Sequence, residues 1–236
     1  VLEGGGKRGI YVAGVLDVLY EHNIFPDGVI GTSACAVNAC SYVSKQYERN
    51  LRYNIRFAKE IRGCSNSLIP ILIQNHKPVN TLIVSPPGCG KTTMLRDLIC
   101  QLSDGIPEQK FAGVNIGVVD ERSELAGCVN GIPQLAIGMR TDVLEGCPKS
   151  EGIRMMIRSM GPQAVAADEI GSEADIAALE EALQSGVAIL TTAHGNGLQD
   201  VLHHPVLKHL VLQGYFTVIA SLRWEHGQIA MTLERG

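Results

Sequence analysis

Residues 85–93 read SPPGCGKTT and follow the apolar run TLIVS at 81–85. A chain of phosphates is bound by backbone N–H donors gathered at a helix N-terminus, with a lysine reaching the outer oxygens. Pro86 and Pro87 carry no N–H, so the donors come from Gly88, Cys89, Gly90, Lys91, Thr92 and Thr93. Gly88 and Gly90 allow the tight curl, Lys91 supplies the charge, and the Thr92 hydroxyl is suited to coordinate Mg²⁺. One position departs from the pattern G-x-x-x-x-G-K-[ST]: Ser85 stands where the first glycine belongs. The bland reading is a chance G-K-T in a turn, which the apolar strand before it and the helical spacing after it disfavour. The stretch predicts a strand, a phosphate loop, and a helix from Lys91 to about Leu102 that ends at Asp104-Gly105.

Such a loop needs an acidic partner at the end of a neighbouring strand. The run AVAADEIG (164–171) supplies Asp168, to hold Mg²⁺ through water, and Glu169, as general base. An ordinary Asp-Glu helix start is the competing reading. Further strand-like runs lie at 114–120, 163–168 and 187–193, with the clearest helical run at 173–186 between them. Continuous apolar strands alternating with helices imply an α/β fold with a mainly parallel sheet covered on both faces. The tail, YFTVIASLRWEHGQIAMTLERG, predicts two strands turning near His226-Gly227.

Two more clusters fit the same machine. VVDERSELAG (118–127) ends a strand in Asp120 and Glu121, beside Arg122 and Glu124. ILTTAHGNG (189–197) ends another in His194, within reach of a γ-phosphate if its strand neighbours the one carrying Asp168. Arg140, Arg154 and Arg158 are candidates to reach a neighbouring subunit's nucleotide, against the plainer reading of solvated helix arginines. His203, His204 and His209, in HHPVLKH, lack a clear metal-ligand geometry.

The 236 residues carry a net charge of −4, with 45% hydrophobic and 19% charged residues, enough for one large domain or two small ones. That balance offers no basic footprint for nucleic acid. Cys35, Cys40, Cys64, Cys89, Cys100, Cys128 and Cys147 form no C-x-x-C pair, as expected of reduced thiols in a cytoplasmic protein. LIPILI (68–73) is too short to span a membrane, no basic-then-apolar leader signals secretion, and a start at Val1 in place of Met reads as a fragment.

The first 53 residues read differently. A glycine-rich turn at 4–9 leads into a helix over 10–23, a buried strand at 27–33 and a second helix over 34–46, a partial β-α-β-α unit. Within it, GTSAC (31–35) nearly spells the G-x-S-x-G elbow that presents a nucleophilic serine, here Ser33, but Cys35 replaces the second glycine. The arginine-rich stretch 46–62 marks a boundary, dividing the chain into 1–53 and 54–236.

From about Asn54 to Ser221 the chain resembles the stage III sporulation protein AA family, bacterial ATPases related to secretion and pilus ATPases. The resemblance rests on NIRFAKEIRG, NTLIVSPPGCGKTTMLRD, VVDERSELAG, IGMRTDVLEGCPKSEGIRMMIRSMGPQAVAADEIG and AILTTAHG. It implies a RecA-like P-loop NTPase core that uses ATP and Mg²⁺. It also implies an acidic box at Asp120, Glu121, Arg122 and Glu124, the pair Asp168-Glu169, and a histidine box at His194. By the same resemblance, such proteins form homo-oligomeric rings at the base of a membrane channel during endospore formation, peripheral to the inner face of the membrane.

Residues 1–53 are similar to the opening of bacterial patatin-like phospholipases, on LEGGGKRGIYVAGVLDVL and DGVIGTSACAVNA. That resemblance implies an oxyanion turn and a Ser–Asp dyad whose aspartate lies in a downstream D-G-G or D-G-A. The only Asp-Gly pairs are at Asp27, ahead of the serine, and Asp104, inside the ATPase portion. A serine acyl hydrolase is therefore the alternative, and the segment is expected to be a silent remnant replacing the ATPase's own N-terminal region.

Overall fold

The computed structural model describes Leu2, residues 8–31 and residues 34–235. It divides into two compact units, Val1–Glu60 and Ile61–Gly236. The expected oxyanion turn at Gly4–Gly6 and Ser33 lie outside the described residues.

In the first unit, α1 (Arg8–Glu21) packs on α2 (Ala34–Val43). Ala13, Leu16, Cys35, Ala39 and Tyr42 are buried. Phe25 lies edge-on to Tyr20 and stacks on Tyr42, with ring centroids 5.4 and 5.9 Å apart. The expected buried strand at 27–33 is not formed by its described part. Gly31 makes a single parallel bridge to Leu2, and Ile30 is 68% exposed. A strand needs a ladder of neighbours to satisfy its backbone, and here one bridge stands in its place.

The boundary stretch is helical. Helix α3 (Arg49–Leu72) runs through it, and the division between the units falls inside this helix. In the second unit, Ile61, Ser65, Leu68, Ile69 and Leu72 recur on one buried face at helical spacing. Pro70 has no N–H to offer the Asn66 carbonyl, and the helix ends two residues later. A short antiparallel pair, β1 (Ile73–Gln74) and β2 (Lys77–Pro78), then turns the chain.

The remaining strands form one seven-stranded sheet. They are β3 (Thr81–Ser85), β4 (Ile116–Asp120), β5 (Thr141–Glu145), β6 (Ala164–Ala167), β7 (Ala188–His194), β8 (Val218–Glu225) and β9 (Gln228–Arg235), in the order β5-β4-β6-β7-β3-β8-β9. All neighbours are parallel except β8 and β9, the expected terminal hairpin. Every residue of β3, β4 and β6 is buried, as strands covered on both faces must be. Leu82, Val84, Val119, Val165, Ala167 and Ile189 share a core with α5 (Lys149–Ser159), α6 (Glu173–Gln184), α7 (Leu198–His203) and α8 (Leu207–Leu212). Helix α4 (Lys91–Asp104) contacts β3 and β7 and buries Met94, Leu95, Leu98, Ile99 and Leu102. Among the described residues no helix is long and apolar enough to cross a membrane.

Edge strand β5 was not legible beforehand, because TDVLE is half exposed and pairs on one side only. Helix α6 begins after Ser172, whose side chain accepts from the Asp175 N–H at 3.1 Å while Asp175 accepts from the Ser172 N–H at 3.1 Å. This reciprocal cap starts the helix at Glu173 and leaves Asp168-Glu169 in the preceding loop.

Candidate nucleotide site

The strand order decides the site. Because β7 lies between β3 and β6, and all three are parallel, their C-terminal ends share one edge of the sheet. The loop 86–90 leaves β3, Asp168 and Glu169 follow β6, and His194 ends β7 level with Ser85.

Gly88 and Gly90 adopt φ of 81° and 87°, the left-handed region that glycine enters without strain. Gly90 caps α4 with no side chain hydrogen-bonded to the first turn, which leaves N–H donors free to face an anion. Cys89 points inward and is 2% exposed. Burial pushes its thiol pKa up, against the opposing effects of the Trp224 backbone and the Lys91 charge.

Lys91 Nζ lies 3.3 Å from both ring nitrogens of His194, and His194 Nε2 lies 3.1 Å from Glu169 Oε2. Equidistant from the two ring nitrogens, the Lys91 ammonium faces the imidazole ring and not a single lone pair, while Nε2 is the ring atom turned to Glu169. Thr92 Oγ1 donates to Asp168 Oδ2 at 3.4 Å. Thr192, which sequence reasoning passed over, joins the two acids: its hydroxyl donates to Asp168 Oδ1 at 2.8 Å and accepts from the Glu169 N–H at 3.0 Å. Its signal was a polar residue inside the apolar run VAILTTA, fully buried on β7.

The four candidates within 120–124 take different places. Asp120 is 1% exposed, and its carboxylate accepts from the N–H groups of Glu124 (2.8 Å), Leu125 (3.1 Å) and Ala126 (2.8 Å). Glu121 pairs with Lys149 at 2.7 Å, and Arg122 is exposed. Glu124 lies in the turn that follows β4, and because Val119 of β4 pairs with Ala167 of β6, that turn and Asp168 leave neighbouring strands at the same level. Partial burial of its carboxyl raises the Glu124 pKa, as do the charges of Asp168 and Asp120, while Arg122 opposes them.

Two of the three arginine candidates are engaged within the chain. Arg140 Nη1 donates to the carbonyls of Ser103 (2.9 Å) and Asp104 (3.3 Å), capping α4. Arg154 pairs with Glu181 at 2.8 Å, and Arg158 is exposed in the last turn of α5. His203 hydrogen-bonds the Gln199 carbonyl, His209 faces Glu180, and His204 accepts from the Val206 and Leu207 N–H groups. No metal-binding cluster of His, Cys, Asp and Glu is found among the described residues.

The family described as "Sporulation stage III, protein AA" matches residues 27–232, starting inside the stretch 1–53 expected to be patatin-like, a likeness that these comparisons do not show. The stage III sporulation protein AA of Bacillus subtilis (strain 168) is 49% identical over 158 residues, covering 67% of this chain and 50% of that protein. The chain thus spans about half the length of this relative. An uncharacterized protein ycf45 of Porphyra purpurea is 30% identical over 132 residues, covering 55% of this chain and 22% of that protein. Among solved structures, the Legionella pneumophila ATPase DotB aligns with a TM-score of 0.51 at 13% identity, over 73% of this chain and 49% of that one. The VirB11 ATPase of Brucella suis aligns with a TM-score of 0.50 at 11% identity, over 82% of this chain and 61% of that one. At such identities the likeness concerns the fold, a RecA-like α/β core with a mainly parallel sheet.

Proposed function

This chain belongs to the sporulation stage III protein AA family, and on that premise we propose that it is a Mg²⁺-dependent ATPase that drives assembly or transport at a membrane channel. The observation carrying this reading is the convergence of Lys91, Thr92, Asp168, Glu169 and His194 on one edge of the sheet. Residues 88–93 bind the phosphates through backbone N–H groups and the Lys91 ammonium. The Thr92 hydroxyl and the Asp168 carboxylate are hard oxygen donors within hydrogen-bond distance, the chemistry Mg²⁺ requires. The chemistry supplied by Mg²⁺ when bound is neutralisation of charge on the β- and γ-phosphate oxygens. Glu169 accepts the proton of the attacking water, and His194 holds its carboxylate while reporting the state of Lys91. The family relationship supports a homo-oligomeric ring, peripheral on the cytoplasmic side of a membrane, acting with channel proteins and not with nucleic acid.

Residues 1–53, the proposed patatin-like piece, are read as a silent acyl hydrolase remnant beside the ATPase domain 54–236, since this chain carries no downstream D-G-G or D-G-A aspartate. A fluorophosphonate probe should leave Ser33 unlabelled. Labelling that disappears in Ser33→Ala would instead restore the hydrolase reading.

Isothermal titration with ATP and Mg²⁺ tests the main proposal. Lys91→Ala should abolish binding, and unchanged affinity would remove the nucleotide from this loop. Glu169→Gln should keep ATP affinity and lose turnover; hydrolysis at the parental rate would disqualify Glu169 as the base.

A further inference from the structure

Arg96 lies on α4 among apolar neighbours, where a charge needs a reason: Leu95 and Leu98 are 0% exposed and Arg96 itself only 5%. Its Nε donates to the Leu125 carbonyl and its Nη2 to the Glu124 carbonyl. Nη1 is buried without a hydrogen-bond partner among the described residues. From the other side, Asp120 collects the N–H groups of Glu124, Leu125 and Ala126. The same turn is thus gripped by an anion at its N–H groups and by a cation at its carbonyls. Only the planar fork of arginine offers two donors in fixed directions to adjacent carbonyls; a lysine presents a single point. Burial pushes the guanidinium pKa down, while the charges of Asp120, Asp168 and Glu124 push it back up.

We propose that Arg96 is a positioning residue for the metal-binding half of the site. It ties the turn 120–126 to the helix that begins at the phosphate loop, and so holds the Glu124 carboxyl against Asp168 as a second acid for the water shell of the metal. The proposal rests on the reading of this edge as a Mg²⁺-nucleotide site. Its physical content is that the clamp exists before nucleotide arrives and acts on metal affinity, leaving the phosphate loop intact.

The first measurement uses the unmodified full chain. Amide hydrogen exchange without nucleotide should show the Glu124, Leu125 and Ala126 N–H groups protected roughly 100-fold or more over the exposed turn at Asn130-Gly131. Free exchange at these three amides would overturn the clamp. In the second, Mn²⁺ binding in the presence of ADP is followed by electron paramagnetic resonance. Arg96→Lys and Glu124→Gln should each weaken Mn²⁺ by about 10- to 100-fold, the usual cost of removing an outer support of a metal site. The double variant should be no weaker than Glu124→Gln alone, and ADP affinity in EDTA should match the parent. Additive losses, unchanged Mn²⁺ affinity in either variant, or an equal loss of ADP affinity in EDTA would each refute the positioning role. Should Arg96→Lys fail to fold, Glu124→Gln and the exchange data still decide. A parent chain that binds no nucleotide would sink the ATPase reading, a failure recognisable apart from the exchange result.

Discussion

Replacing Asp120 with asparagine keeps the shape of the side chain and removes its charge. In the folded chain its two carboxylate oxygens serve three N–H groups at 2.8 to 3.1 Å, in a setting 1% exposed. Asparagine retains one acceptor oxygen and turns an NH₂ towards donors it cannot satisfy. A hydrogen bond to a charged group contributes about 1.5–3 kcal/mol net, and a buried donor left unpaired costs about 1–3 kcal/mol. Loss of one such bond and weakening of another predicts a destabilisation of about 2–4 kcal/mol. Arg96 would also lose part of its counter-charge, which acts in the same direction. With a urea m-value of about 2 kcal/mol/M, the midpoint should fall by about 1–2 M. The single tryptophan, Trp224 on β8, reports on the unit that holds the site. A midpoint shift below about 0.3 M at unchanged m would lie within the range of surface substitutions and refute the turn-anchoring role. Loss of ATP turnover at parental stability would show that Asp120 acts on the nucleotide itself.

Thr192→Val removes a buried hydroxyl that links Asp168 to the Glu169 N–H, and should cost about 1–3 kcal/mol of stability and lower kcat more than ATP affinity; a purely affinity-based loss in kinetics would refute its link to the acids. Glu124 has a pKa above its ordinary 4.5, so its stabilising contribution is present below that value and fades as pH rises through the raised one. Glu124→Gln stays neutral and should raise the melting temperature of the nucleotide-free protein near pH ~8, with no gain near pH ~4; an equal gain at both would refute the charge origin. Thiol alkylation of the native chain should modify exposed Cys40 well before Cys89, whose thiol is buried and has a raised pKa; peptide mapping that finds Cys89 labelled first would contradict its inward orientation.

What contiguous residues express was readable directly. Two glycines at left-handed φ, two prolines without donors, a lysine and a threonine make up the proposed phosphate loop within nine positions, and the strand and helix beside it are continuous apolar patterns. The Asp168-Glu169 pair, His194 and the terminal hairpin at His226-Gly227 were equally local. The helix across 49–72 was not, because its polar half and Pro70 hide a buried face that only packing selects. Nor was the division of labour within 120–124: from the sequence, Asp120 and Glu124 are two acids in one turn. Folding commits the first to three backbone N–H groups and leaves the second in the turn beside the end of β6. Thr192 and Arg96 acquire their partners from residues 23 to 29 positions away. Their roles depend on β7 entering between β3 and β6, and on α4 lying beside the turn after β4. Backbone conformation and charge are properties of neighbouring residues along the chain. Strand order is set by how whole helices and strands bury one another, and it alone brought these side chains to one edge.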